Sequence, residues 1–339
     1  MLNDLDRPYI IAEISGNHNG SLDRAKELIK AAKENGADCV KLQTYTPDTM
    51  TIKSNKEDFQ ITTGLWEGYN LWDLYDWAQT PFEWQEDLFK FAKNLGITCI
   101  STPFDETAVN LLESLDCPFY KIASFELTDL PLVKYVAQTN KPLILSTGMA
   151  NHEEISDAIE VVKEYGCGDY IVLHCVSGYP TPVEQINLNT IQLLKESFQC
   201  EIGLSDHTLG NESALIAIAY GAKVIEKHFT LSRDDGGPDA DFSMEPEELR
   251  NLCEKALLVY KSLGRASFEK KEVEVENIKF RRSIYFIQDL KKGDEINIKN
   301  IRRIRPGYGL APKYFNEILG KKVKCDIEKG TAVSWDHFE

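Results

Sequence analysis

With 339 residues, 42% hydrophobic and 27% charged, the chain has the composition of a soluble globular protein with room for one large domain and an appendage. A net charge of −16 argues against nucleic acid and anionic membrane as partners. No run of 18 apolar residues and no signal-peptide pattern occurs, Met1–Arg7 being acidic and polar, so a cytoplasmic protein is expected. The eight cysteines form no Cys-x-x-Cys pair and mostly sit in apolar runs, which reads as reduced, buried thiols.

Eight short apolar, β-branched-rich runs follow one another: Tyr9–Ser15, Cys39–Tyr45, Thr98–Phe104, Phe119–Ser124, Pro142–Gly148, Tyr170–Val176, Cys200–His207 and Lys223–Thr230. Between them lie stretches of helical period, such as Ser21–Gly36, Glu153–Gly166 and Gly210–Gly221. Near-continuous apolar strands alternating with helices imply a parallel sheet, and eight units match a closed (β/α)8 TIM barrel. The alternative is an open doubly wound sheet, but its usual Gly-x-Gly-x-x-Gly loop is missing. A long insertion after the second strand, Thr46–Thr80, carries Trp66, Trp72 and Trp77 and reads as a substrate lid.

The barrel is expected over residues 1–265, closing on a helix from about Glu245 to Leu263, with a charged linker over 266–280. Residues 281–339 then form a small β-rich domain with a weak repeat, Asp289-Leu-Lys-Lys-Gly293-Asp294 and Asp326-Ile-Glu-Lys-Gly330-Thr331. From Lys279 onward 14 basic residues stand against 8 acidic ones, net +6, leaving a body of net −22. A basic piece of about sixty residues is marginal alone and is expected to dock on something.

Residues two apart in a strand share a face. Polar pairs at that spacing crowd the C-terminal strand ends: Glu13 with Ser15, Lys41 with Gln43, Ser205 with His207, and Glu226 with His228. Burying so many polar groups is costly unless they face a ligand. A lone strand-end His reads as a satisfied core or rim residue, but His207 and His228 end consecutive strands and can converge, as suits an open divalent-cation site. Lys41 and Lys121 are either Schiff-base nucleophiles or anion anchors. Ser124, Ser146, Ser177 and Ser205, ending strands four to seven, favour the anion. Glu13 is read either as a salt-bridge partner or as a general base that guides water. His18 either bonds a phosphate or caps the following helix; His174 reads as structural, His152 and His337 as surface residues.

Ile11-Ala-Glu13-Ile-Ser-Gly-Asn17-His18-Asn-Gly20, Val40-Lys41-Leu-Gln43-Thr, Ser101-Thr102-Pro-Phe104, Tyr120-Lys121-Ile-Ala-Ser124, Leu145-Ser146-Thr-Gly148-Met, Tyr179-Pro-Thr-Pro, Gly203-Leu-Ser205-Asp-His207-Thr and Glu226-Lys-His228-Phe occur in this order. In them the chain resembles the sialic acid synthase family over the whole barrel. The tail, with Arg302-Arg-Ile-Arg305-Pro-Gly307, is similar to that family's C-terminal antifreeze-like (SAF) domain. The resemblance implies a metal-dependent condensation of phosphoenolpyruvate with an amino-sugar aldehyde, with catalytic roles for Glu13 and His207. It implies a divalent metal (Mn2+, Mg2+ or Co2+) on His207 and His228, and phosphoenolpyruvate on Lys41, Thr102, Lys121, Ser124, Ser146, Ser177 and Ser205. It further implies that Gln43, Phe104, Glu126, Tyr179 and Asp239 contact the sugar, and that Arg305 does so from the partner subunit of a domain-swapped homodimer. Ser177 stands where the N-acetylneuraminate-forming members have Asn. Gln43-Thr-Tyr-Thr-Pro-Asp48, Lys56-Glu-Asp-Phe59, Gly64-Leu-Trp66 and Thr80-Pro-Phe-Glu-Trp84 are similar to the branch acting on 2,4-diacetamido-2,4,6-trideoxy-L-altrose, rather than to that acting on N-acetylmannosamine.

Overall fold

The computed structural model describes residues 5–166 and 168–338. Met1–Asp4 of the expected polar start, and Cys167, lie outside them. The chain divides into two compact units, Met1–Gly264 and Arg265–Glu339.

In the first unit eight strands close a parallel barrel in chain order: β1 Tyr9–Glu13, β2 Cys39–Thr44, β3 Thr98–Pro103, β4 Tyr120–Ile122, β5 Leu143–Ser146, β6 Tyr170–Cys175, β7 Glu201–Asp206 and β8 Val224–His228. β8 returns to pair with β1, Glu13 lying opposite His228. The open doubly wound alternative is therefore excluded. The sequence-based strands overrun these by a residue or two at most ends, since their apolar character continues into the turns.

Local chemistry explains the helix boundaries. Ser21 caps Leu22–Glu34 by accepting from the Arg24 amide, and Asp105 caps Glu106–Ser114 through the Thr107 and Ala108 amides. Asn151 and Glu154 form a capping box at His152–Tyr165. Gly96, at φ 69°, ends Phe82–Leu95 in the left-handed conformation that disfavours a side chain. Buried Ile, Leu and Val from both layers make one continuous core. The seven described cysteines are free; Cys39, Cys99, Cys117 and Cys175 are buried. Cys200 and Cys253 are half-buried and Cys325 is exposed, so the expectation of burial fails for these three.

The second unit has its own core, built around Ile284, Phe286, Ile296, Ile301 and Val333. β9 Ser283–Phe286 pairs antiparallel with β10 Ile301–Ile304. The two repeat segments pair with each other: Leu290 and Ile327 exchange backbone hydrogen bonds of 2.9 and 2.8 Å. The Asp289 carboxylate accepts from the Lys329 amide at 2.7 Å, and Asp326 reciprocally takes the Lys292 amide at 2.9 Å. Over the expected linker the chain forms a short helix, Glu272–Val275, and a 3-10 turn, Glu276–Phe280. Among the described residues no helix is long and apolar enough to cross a membrane.

Candidate active site

The C-terminal ends of the barrel strands open into a cavity of about 480 Å³, walled on one side by the lid. At its floor four buried charges form two pairs. Lys41 Nζ lies 2.7 Å from Glu13 Oε2 and 3.8 Å from Glu226 Oε1, and it donates to Thr102 Oγ1 at 3.1 Å. Lys121 Nζ donates to Glu226 Oε1 at 3.2 Å, and Ser205 Oγ donates to the same oxygen at 3.1 Å. Gln43 Nε2 donates to Glu13 Oε1 at 2.8 Å.

Burial acts against every charge here; partners outweigh it at Lys41 and Glu226, while burial prevails at Glu13 and at Lys121, whose amine is lowered despite Glu226. Burial lowers Lys41, but Glu13 and Glu226 outweigh it and leave the ammonium favoured. Burial raises Glu226, but Lys121 and Lys41 bring it below its ordinary value. Glu13 stays raised by burial, the direction that suits a proton acceptor. A charged, triply held Lys41 fits an anion anchor and not a Schiff-base nucleophile.

A ring of hydroxyls adjoins the lysines. Ser146 Oγ is buried with no hydrogen-bond partner among the described residues. Ser124 Oγ accepts from the Gly148 amide at 3.0 Å. A Cβ on Gly148 would stand 2.3 Å from Ser177 Oγ and 2.8 Å from Ser124 Oγ, so only glycine lets these hydroxyls approach. This is the chemistry of an oxyanion cradle, held by two lysine side chains and convergent hydroxyls. Gly148→Ala should therefore weaken binding of inorganic phosphate by ~10-fold or more, since overpacking of this kind costs about 1–3 kcal/mol. Titration calorimetry reads this directly, and an unchanged affinity would show that the hydroxyls do not form the cradle.

Above the cradle the His207 and His228 rings lie 5.4 Å apart, with the Phe242 ring 4.8 Å from His228 and Tyr179 4.5 Å from His207. His207 Nδ1 is tied to the Val176 carbonyl at 3.0 Å, which leaves Nε2 for a ligand. His228 Nδ1 is buried without a hydrogen bond, its nearest acid being Asp239 Oδ2 at 3.5 Å. Burial, then the positive neighbours, push His228 well below the usual imidazole range, so it is neutral, the form that ligates. Burial lowers His207 too, but Cys175 and the Val176 carbonyl outweigh it and raise the imidazole, so a cation on its Nε2 would displace a proton. Two imidazole nitrogens then suit an open cation site completed by water and substrate oxygens. Among the described residues no three His, Cys, Asp or Glu side chains gather around one point.

Gln43, Phe104, Glu126, Tyr179 and Asp239 line the rest of the cavity. Burial raises the Glu126 carboxyl to about 7, and its Oε2 is buried without a partner. Glu13 and Thr102, held against Lys41 at the floor, and Ser177, beside Gly148, are not lining residues themselves, and exposed Arg305 belongs to the second unit. Of the three lid tryptophans only Trp66 faces the cavity, its indole donating to the Pro238 carbonyl at 2.7 Å. Trp77 stacks on Tyr69 at 5.7 Å, and Lys53 lies over Trp72. The lid wall is completed instead by Ile61, Leu74 and Tyr75, with Tyr45 at the end of β2 beside them. His18 has both nitrogens engaged, accepting from the Gly20 amide at 3.1 Å and meeting Thr80 Oγ1 at 3.2 Å, so it holds its own loop. His174 is structural, bonded to the Ile186 carbonyl, and His152 is exposed. His337 is not a free surface residue: it is half-buried and accepts from the Ser334 amide.

Residues 28–268 match the NeuB family and residues 281–339 the SAF domain. The chain is 44% identical over 330 residues to pseudaminic acid synthase of Campylobacter jejuni, covering 97% of this chain and 96% of that one. The chain belongs to the NeuB family. Pseudaminic acid synthase of Helicobacter pylori is 43% identical, with 99% of each chain covered. Among solved structures, the N-acetylneuraminic acid synthetase of Leptospira borgpetersenii in complex with citrate superposes with a TM-score of 0.73 at 33% identity, over 81% of this chain and 92% of that one. This NeuB-family chain is thus a synthase built on a TIM barrel with a SAF domain.

Proposed function

We propose that the enzyme condenses phosphoenolpyruvate with 2,4-diacetamido-2,4,6-trideoxy-L-altrose and water, giving pseudaminic acid and phosphate. The supporting observation is the order of groups along one cavity: two lysine side chains with a hydroxyl ring, then two imidazoles, then an apolar aromatic wall. A trianionic substrate fits the first, an aldehyde oxygen the second, and the methyl groups of a deoxy, acetamido sugar the third. The pseudaminic acid synthases similar over nearly the whole chain support the same sugar.

Lys41, Lys121 and the serines bind and orient phosphoenolpyruvate, with its alkene carbon toward the aldehyde. His207 and His228 would hold a divalent cation, which supplies polarisation of the aldehyde oxygen. Attack by the alkene carbon forms the C–C bond and leaves C2 electrophilic. Glu13, raised by burial, takes a proton from the water that adds at C2. The bond from C2 to the phosphate oxygen of the tetrahedral intermediate then breaks; the electron pair and the C2 hydroxyl proton leave as hydrogen phosphate, C2 becomes a ketone, and the proton held by Glu13 passes to the alkoxide left by the aldehyde. With 18O in the bridging position, the isotope should appear in inorganic phosphate by mass spectrometry. Isotope retained in the sugar would exclude this route.

We further propose a domain-swapped homodimer in which Arg305 of the partner subunit completes the sugar site. The charge contrast, net +6 from Lys279 onward against −22 for the rest, supports this arrangement. Mixing Arg305→Ala with His207→Ala chains should restore activity, because mixed dimers regain one intact site. No rescue in dimers shown to be mixed would rule the swap out.

A further inference from the structure

Ser205, His207, Glu226 and His228 face the cavity, so strand alternation puts Asp206 and Lys227 on the other face of the sheet. These two residues are opposite each other in the β7–β8 register, each immediately before one of the histidines. Lys227 Nζ lies 2.7 Å from Asp206 Oδ2 and donates to the Thr208 carbonyl at 2.7 Å. Asp206 Oδ1 accepts from the Thr208 amide at 2.9 Å and from its hydroxyl at 2.8 Å. Both side chains are almost wholly buried, at 0% and 2% exposure. The residues on either side of His207 are therefore fastened to the residue that precedes His228.

A buried ion pair is a poor source of stability, because desolvating two charges offsets most of their attraction. Its value is geometric, since it admits one register and one strand separation. We propose that Asp206 and Lys227 form a positioning clamp that fixes the spacing of the two imidazoles for a divalent cation. This rests on the reading of His207 and His228 as the cation's ligands. The clamp touches neither cation nor substrate and acts through the strand ends.

The test replaces the pair by apolar residues of similar size, Asp206→Leu with Lys227→Met. Mn2+ affinity, phosphate affinity in chelator and the thermal midpoint of the metal-free protein are then measured. The clamp predicts Mn2+ binding weakened by ~10–100-fold, the range seen when outer-shell partners of metal ligands are removed. The metal-free thermal midpoint and phosphate binding should stay near those of the parent, which a merely structural pair would not combine with lost Mn2+ affinity. A folded double variant with parental Mn2+ affinity overturns the proposal. Should that variant not fold, Asp206→Asn keeps the shape and removes the charge; unchanged Mn2+ affinity there overturns it equally. His207→Ala separates the two readings. If it binds Mn2+ as the parent does, the histidine site itself is wrong and the clamp falls with it; if it loses Mn2+ while the clamp variants keep it, only the clamp fails.

Discussion

Replacing His207 or His228 by Ala should lower kcat/KM by ~1,000-fold or more, with the barrel still folded. A bound cation at a developing alkoxide supplies several kcal/mol, and three orders of magnitude correspond to about 4 kcal/mol. Among the described residues no third His, Cys, Asp or Glu side chain joins His207 and His228 around one point, so no neighbouring ligand replaces a missing one. His228 contributes little to folding as a charge, since burial holds it neutral and its Nδ1 forms no hydrogen bond. Circular dichroism checks the fold, and activity in EDTA with and without added Mn2+ checks the cause. Full activity in the stripped enzyme would overturn the cation assignment.

The second large effect concerns the sugar. The 6-deoxy diacetamido sugar is expected to exceed N-acetylmannosamine by ~1,000-fold in kcat/KM, at saturating phosphoenolpyruvate. Burying its 6-methyl and second acetamido methyl gives only about 0.8 kcal/mol each. The rest comes from polar groups left unpaired: the 6-hydroxyl of N-acetylmannosamine meets an apolar wall, and a cavity group loses its 4-acetamido partner. The Tyr45, Ile61, Trp66 and Leu74 wall gives that hydroxyl no side-chain carboxylate or amide. Buried Glu126 Oε2 is a polar atom waiting for a partner. Equal rates for the two sugars would keep the condensation and remove this substrate.

The barrel was legible because a strand buried on both faces must read as a nearly unbroken apolar run. Ionisable residues at the ends of such runs announced Lys41, Lys121, His207 and His228. Relations across the barrel were not legible. Spacing put Glu226 on the face of His228 but gave no sign that it bridges Lys121 and Lys41, which come from β4 and β2. Gly148 was one letter of a motif, and its role appears only when Ser124 and Ser177 close around it. The lid was found from its tryptophans, yet Trp72 and Trp77 turn away: both lie on the helix Leu71–Ala78, whose Leu71, Leu74, Tyr75 and Ala78 face the cavity at helical spacing. Asp206 and Lys227 are silent in sequence for a related reason: alternation separates them from the site, and only the β7–β8 register brings them together.

Trp66 has a consequence for grafting experiments. Its indole is hydrogen-bonded to the Pro238 carbonyl, in the loop that leaves β8 and also carries Asp239. The insertion after β2 and the loop after β8 are thus stitched into one wall, though about 170 residues of chain separate them. Transplanting the β2 insertion alone between relatives breaks that stitch, whatever specificity it carries. The transferable cassette is both loops together, and substrate range in such chimaeras should follow the pair.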